Sequence, residues 1–535
     1  MAFSTNRCQQ FSLLDSCNAL SERSRNYVIN SWASAFALDI FPAINEERFA
    51  VLYSSHAASR SNTPVNIIIG AMILKELLVL TDDEVLGSLI CDIRFQYALH
   101  TTSYVEQPLS DRSFSRFRER NYLFEQETGR DLLKEEILSL SKVIENLMNL
   151  NPTMKRMDSL MIASNCKNMT RLDVLYTCVS NMVKAVRKTG EDGLLSGIEH
   201  YLGADDHNRV IYHNKNEETD TKIQEIINDA TKLLADMGDA YFELPEYQLL
   251  RRVLTEQSDD NGDGTRKAKD KKDIVPGSVQ NPSDSDATYR KKAGKDNIGF
   301  VGNVVETFDE NGNSVITSYG YEQNSHSDSA FCKEVIEDMG LQEETVTLIV
   351  DGAYSGTENR EAAAKNNINL VTTSLTGRLP NEIHAGFTMS EDGKSVISCP
   401  LGYIPIKNTY NPGNGTCRAV FERGQCKNCS NLNQCKAKLQ NKTAVINISK
   451  KMVQRALQMA EMTTDEYKQL ARQRNAVEGI PSVLRRRYDV DHIPARGKMR
   501  SKMFFGFKIG AMNVNKLLKY YQRLRDNCAQ KAVTA

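Results

Sequence analysis

Three carboxylates stand out because of where the sequence puts them. Asp158 interrupts the run MKRMDSLMIASN at 154–165, which is otherwise apolar on both faces, the pattern of a central strand in a covered sheet. Asp351 ends a second apolar run, VTLIV, and is followed by a glycine-containing turn. Glu478 lies far downstream, on a stretch that reads as helix. An acid in a buried strand is costly unless it is paired or bound to a cation. Three acids held by two strand ends and a helix are the minimal protein share of a site for hard divalent ions such as Mg²⁺. Two such ions ~4 Å apart activate the attacking oxygen and neutralise the leaving one in phosphodiester cleavage. Taken singly, each strand Asp reads more readily as a hydrogen-bonded structural residue and Glu478 as a solvated helix acid, so the ordered set is the signal.

The second chemical group is sulfur. The chain has 12 cysteines, most of them scattered, but Cys399, Cys417, Cys426, Cys429 and Cys435 crowd together. Cys426-x-x-Cys429 followed by Cys435 has the spacing of zinc ligands, with Cys399 available as a fourth thiolate. A second CxxC is absent, so reduced free thiols are the competing reading. The N-terminal residues MAFSTNRCQQFSLLDSC lack the apolar core of a secretory signal. The most apolar stretch, 65–80, is broken by Lys75 and Glu76 and is too short to span a bilayer. A cytoplasmic protein with reduced thiols is expected.

The elements that position these groups follow from periodicity. The first ~140 residues read as helices. Within them, Ser110 or Asp111 caps a short helix carrying Arg112, Arg116 and Arg118, which suits a helix-turn-helix-like DNA reader or a plain solvated face. After the Asp158 strand come helices over 170–255, then a polar Gly, Pro, Asp and Lys-rich segment at 256–285 that reads as a linker or mobile loop. A hairpin follows, turning at Asn311-Gly312, then helix, the Asp351 strand, helix and strand. Residues 385–450 form a short-stranded, cysteine-bearing insertion, and the rest is helical.

These segments resemble bacterial insertion-sequence transposases of the DDE (RNase H-like) type, in the group with a cysteine-bearing insertion before the final Glu. Asp158-Ser159 resembles the first-acid strand. Val350-Asp351-Gly352-Ala353-Tyr354-Ser355 resembles the second-acid signature. Arg474-x-x-x-Glu478, with a basic residue seven positions later at Arg485, resembles the signature around the final acid, and the hairpin ending in Tyr319-Gly320-Tyr321 fits the second and third strands. The similarity runs over most of 60–520. Two positions depart from the pattern: Ala471 stands where the signature often has Tyr, and Arg485 where it has Lys. Gly479 and Pro481 predict a kink or restart just past Glu478.

The resemblance implies an α/β protein: a helical N-terminal DNA-binding domain at 1–145, then an RNase H-like mixed-sheet catalytic core at 150–535. That core would carry a helical insertion with a mobile linker at about 170–285 and the cysteine-bearing one at 385–450. It implies metal-dependent cleavage at transposon ends and strand transfer into target DNA. Asp158, Asp351 and Glu478 would hold two Mg²⁺ or Mn²⁺ ions, Arg474 and Arg485 the adjacent phosphate, and Cys399, Cys426, Cys429 and Cys435 a structural Zn²⁺. The implied partner is double-stranded DNA, both inverted repeats and target, bound by a homodimer or larger assembly, with no membrane. Two rivals are a catalytically silent DNA-binding descendant and a non-mobile nuclease on the same fold.

Charge points the same way only locally. The whole chain is at −1, but from Arg472 onward there are 15 Lys and Arg against 4 Asp and Glu. Arg485, Arg486 and Arg487, with Arg496, Lys498, Arg500, Lys502 and Lys508, dominate that surplus and predict a phosphate-binding surface. Phe504, Phe505 and Phe507, set among them, read as core ahead of base-stacking residues.

Overall fold

The computed structural model describes residues 1–6, 16–54, 56, 60–292, 294–354, 356–375 and 377–534. The chain divides into two compact units, one of 1–151, 159–327 and 480–535, the other of 152–158 and 328–479. The strands that matter are β1 (Met154–Ala163), β2 (Thr288–Lys292), β3 (Lys295–Phe308), β4 (Ser314–Gln323), β5 (Val346–Val350) and β6 (Ile368–Thr372). Their order, broken by helices, is that of an RNase H-like sheet, and the protein is mixed α/β. No described helix is long and apolar enough to cross a membrane.

In the first unit, β3 pairs antiparallel with β2 and β4, and the C-terminal half of β1 lies beside β3. Gly299 of β3 has φ +150°, and a Cβ there would sit 2.2 Å from the Ile162 carbonyl oxygen, so only glycine permits this approach. The helix Val65–Leu78 is buried along nearly its whole length, which is why its sequence is apolar all round. The long C-terminal helix Lys498–Thr534 packs on it, on Leu132–Leu147 and on β4. Phe504, Phe505 and Phe507 are buried in that packing.

One side chain extends the sheet. Asn513, fully buried, accepts from the Ile316 N–H at 2.9 Å and donates to the Ile316 carbonyl at 2.7 Å, so its amide stands in for a neighbouring strand. Asn513→Leu would leave both Ile316 groups unpaired, and each buried orphan costs ~1–3 kcal/mol. The variant is expected to lose at least ~2 kcal/mol in urea unfolding; an unchanged midpoint would show that these bonds are replaceable.

The segment after β1 forms its own helical core from Arg171–Thr189, Thr219–Met237 and Pro245–Gln257, closed by residues such as Val179, Met182, Ile227 and Leu250. The linker expected at 256–285 is instead ordered and packed. Ser258–Asp260 pairs with Arg266–Ala268 as a small hairpin. Gln224 bonds that hairpin at Arg266 and Ala268, and Arg171 bonds Lys269. Ser278, Asn281 and Asp284 are buried. Composition misread this segment because its backbone partners are distant in sequence.

In the second unit, the N-terminal part of β1 runs parallel to β5, and β5 parallel to β6. The cysteine-bearing segment builds a four-stranded antiparallel sheet in the order β7 (Lys407–Asn411), β8 (Thr416–Glu422), β10 (Thr443–Ile448), β9 (Lys438–Leu439).

Candidate active site

The register of β1 against β5 sets two of the acids side by side. Met154, Lys155 and Arg156 pair with Thr347, Leu348 and Ile349. Two residues further along both strands are Asp158 and Asp351. Adjacent parallel strands lie ~4.8 Å apart, and residues two apart share a face. Asp158, in the middle of β1, and Asp351, one residue past β5, therefore lie on neighbouring parallel strands.

Asp351 is fixed through one oxygen. Its Oδ1 accepts from the Gly352 N–H at 2.7 Å, the Ser374 hydroxyl at 3.2 Å and the Thr373 hydroxyl at 3.4 Å. Its Oδ2 accepts nothing among the described residues. Arg474 links the other two acids. Its Nη2 donates to Asp158 Oδ1 at 3.1 Å and its Nη1 to Glu478 Oε1 at 2.8 Å. The guanidinium and Asp158 are 9% and 15% exposed, whereas Glu478 is 60% exposed. Arg156 donates to the Gln473 carbonyl at 2.8 Å, and Tyr467 hydroxyl bonds both the N–H and carbonyl of Thr372, so the helix Asp465–Gln473 that leads into Arg474 is anchored to both β1 and β6.

Glu478 does not sit on a helix, as its surroundings had suggested. The helix Asp465–Gln473 passes into a 3₁₀ turn at Arg474–Ala476, Glu478 follows in a turn, and a new helix spans Gly479–Arg486. Pro481 falls in the first turn of that new helix, where its missing N–H does no harm. The expected restart is real and comes at Gly479, just past Glu478, and the break it closes begins at Arg474.

Gly352 is required by its close approach to Ser374. A Cβ there would lie 2.4 Å from the Ser374 carbonyl oxygen and 2.6 Å from its hydroxyl. Gly352→Ala must push Ser374 away and with it a donor to Asp351. The expected result is a loss of ~1–3 kcal/mol of stability, read by denaturant titration, with a drop in any cleavage activity. A variant indistinguishable from the parent would show that Ser374 does not position Asp351. The hydroxyls of Thr373 and Ser374, Arg156 and Tyr467 were not singled out from sequence; a Thr-Thr-Ser run at a strand end was the one local hint. Ser355, part of the Asp351 signature, lies outside the described residues.

The basic residues are distributed differently from expectation. Arg485 donates to Asp491 at 3.1 Å and to the Met161 carbonyl at 2.7 Å. Arg486 and Arg487 are exposed, Arg487 lying over the Tyr488 ring. Several other cations of the C-terminal segment pair with acids of the molecule. Lys498 pairs with Glu322, Arg500 with Glu119, Lys502 with Glu125 and Asp131, and Lys508 with Glu76. Arg496 donates to the Asn165 carbonyl. On the helix Asp111–Thr128, capped by Ser110, Arg112 and Arg116 are exposed, while Arg118 forms a two-pronged pair with Asp82 at 2.6 and 2.8 Å.

Cys399, Cys426, Cys429 and Cys435 line one small cavity of about 30 Å³ with Phe387 and Phe421. Burial, with help from the neighbouring sulfurs, raises the Cys426 thiol and pushes Cys435 up to about 11. The Asn431 N–H donates to Cys429 Sγ at 3.4 Å. Cys417 stands apart, donating to Asn408 Oδ1. Among the described residues, no three His, Cys, Asp or Glu side chains are spaced to hold a metal ion as they stand.

No curated protein and no solved structure matches the chain. Residues 398–518, which include Glu478 and Arg474 but neither Asp158 nor Asp351, match the family model described as the transposase DDE domain. That match supports a transposase of the DDE type, the family that the ordered acids and the arginine before Glu478 resemble.

Proposed function

We propose that this protein cuts DNA at the ends of a mobile element and joins the freed 3′-OH to a target duplex. The observation that supports the reading is the β1–β5 register: Asp158 and Asp351 each lie two residues past its last pair, in the unit that also holds Glu478. Carboxylate oxygens are the donors hard divalent ions prefer, so the donor chemistry fits Mg²⁺ or Mn²⁺, with Asp158, Asp351 and Glu478 as the residues that would hold them. When bound, two such ions supply activation of the attacking oxygen and neutralisation of the leaving 3′ oxygen. The chain's own part is positional. Asp351 keeps Oδ2 open by committing Oδ1 to Gly352, Thr373 and Ser374. Arg474 bonds both Asp158 and Glu478, and its fork is the group best suited to pass from carboxylate to a DNA phosphate.

In this reading 1–145 remains a DNA-binding region that touches DNA through Arg112 and Arg116, and 150–535 the catalytic one; Arg486 and Arg487 are exposed to DNA, and Arg485 acts on it where substrate displaces Asp491. The protein works on DNA as a dimer or larger assembly. The deciding experiment supplies purified protein, duplex ends carrying the flanking inverted repeats, and Mg²⁺ or Mn²⁺. Nicking that EDTA abolishes, and joining of a 3′-OH end to plasmid, is the expected result. Binding without nicking would identify a silent descendant, and nicking without joining a non-mobile nuclease.

The four thiols around one cavity are proposed as a structural zinc site, since thiolates in a CxxC turn with an N–H aimed at sulfur suit that ion. About one zinc per chain is expected by elemental analysis, lost in Cys429→Ser. A zinc-free protein of full stability would remove the metal.

A further inference from the structure

The cysteine-bearing unit has a groove of about 700 Å³ whose charge is of one sign. Arg378, Lys436, Lys438 and Arg455 line it, together with Asn381 and Asn447, and no carboxylate does. The whole chain carries −1, so a lining with these cations and no carboxylate marks a local field. Among the described residues, Arg378, Lys436 and Lys438 form no ion pair. This sets them apart from Lys498, Arg500, Lys502 and Lys508, each of which pairs with an acid.

The backbone is arranged to keep these cations in place. Lys436 ends the short helix Leu432–Cys435 in the left-handed region, φ +58°. A helix commonly ends that way on glycine, and a residue with a Cβ is held there at ~1–2 kcal/mol. Lys438 sits in the edge strand β9, paired with Val445 of β10, whose Val445 and Ile446 line the same groove. Arg455, on the helix Lys450–Glu461, donates to the Arg378 carbonyl at 3.0 Å and ties that loop to the groove.

We propose that this groove is the track along which the protein holds the sugar–phosphate backbone of DNA. The inference rests on the transposase reading and locates the DNA. Arg378, Lys436 and Lys438 are exposed and spread over a loop, a helix end and an edge strand, so the surface recognises repeated negative charge and no particular base. The structural alternative is that Lys436 and Lys438 only guard an open sheet edge against pairing with another chain.

The test uses the full-length protein and a fluorescent duplex of arbitrary sequence, with anisotropy measured across a salt series. Every phosphate that a variant no longer neutralises lowers the slope of log affinity against log salt by about one unit. Lys436→Gln/Lys438→Gln is therefore expected to lower it by about two, and adding Arg378→Gln by about three. A control pair on exposed helices of the same unit, Lys333→Gln/Lys365→Gln, removes the same charge and is expected to leave the slope alone. Circular dichroism melts confirm that each variant is folded. Slopes equal for groove and control variants, with wild-type protein binding and nicking DNA normally, would overturn the groove and leave the transposase reading standing. A wild-type protein that binds no DNA would overturn both. Aggregation of the groove variants with an unchanged slope would assign the lysines to edge protection instead.

Discussion

Asp351→Asn is expected to lower metal-dependent DNA cleavage by at least ~10²-fold while the protein melts within a few degrees of wild type. A positioned charge in a reaction centre contributes ~10²–10³ in rate, and the amide removes it without changing shape. The local hydrogen bonds survive because all of them fall on Oδ1, which an asparagine carbonyl reproduces. The substitution thus separates chemistry from folding better than alanine would. Plasmid nicking in Mg²⁺ and in Mn²⁺, alongside thermal melting, gives both readouts. Cleavage at the wild-type rate would exclude Asp351 and, with it, the pairing with Asp158 on which the site is built.

Arg474→Met is expected to be the most destabilising change in the site. Its guanidinium pairs with Asp158 at 3.1 Å, and both groups are largely withdrawn from water. Removing one partner of a buried pair costs ~3–5 kcal/mol, a range whose lower end applies because Asp158 keeps some solvent. The Glu478 arm adds little, since that carboxylate is mostly exposed. Guanidinium unfolding should show the loss, and Asp158→Asn in the same background should recover part of it, because the buried negative charge is then removed as well. Equal midpoints for Arg474→Met and the parent would mean that Asp158 is compensated by other groups.

What could be read from sequence was what is encoded locally. The β1 run, the Asn-Gly hairpin and the apolar run before Asp351 are visible because strands carry a short repeat and turns need particular residues. The helical core around Val179 and Ile227 is visible for the same reason. Other features depend on residues far apart in the chain. Pro481 announced a restart, which does come at Gly479, but the start of the break at Arg474 carries no such mark. That Glu76, Glu119, Glu125 and Glu322 stand opposite several cations of the basic tail could not be read locally, because they are far from them in the chain. Arg474 was linked to phosphate through the family signature; Glu478 stands four residues on, but nothing nearby foretold Asp158 on the other prong.

The pairing of Met154 with Thr347 has a consequence for how the protein is made. At ~5–20 residues per second, a ribosome delivers the second residue roughly ten to forty seconds after the first. During that interval the helical segment at 171–257 and the β2–β4 meander can fold as they emerge, while the leading half of β1 waits without its parallel neighbour. Glu478 arrives later still. A chain that stops before residue 478 lacks one of the three acids. The cost of that delay is a strand edge left open to other chains, which is where chaperone binding to stalled nascent chains of this protein would concentrate.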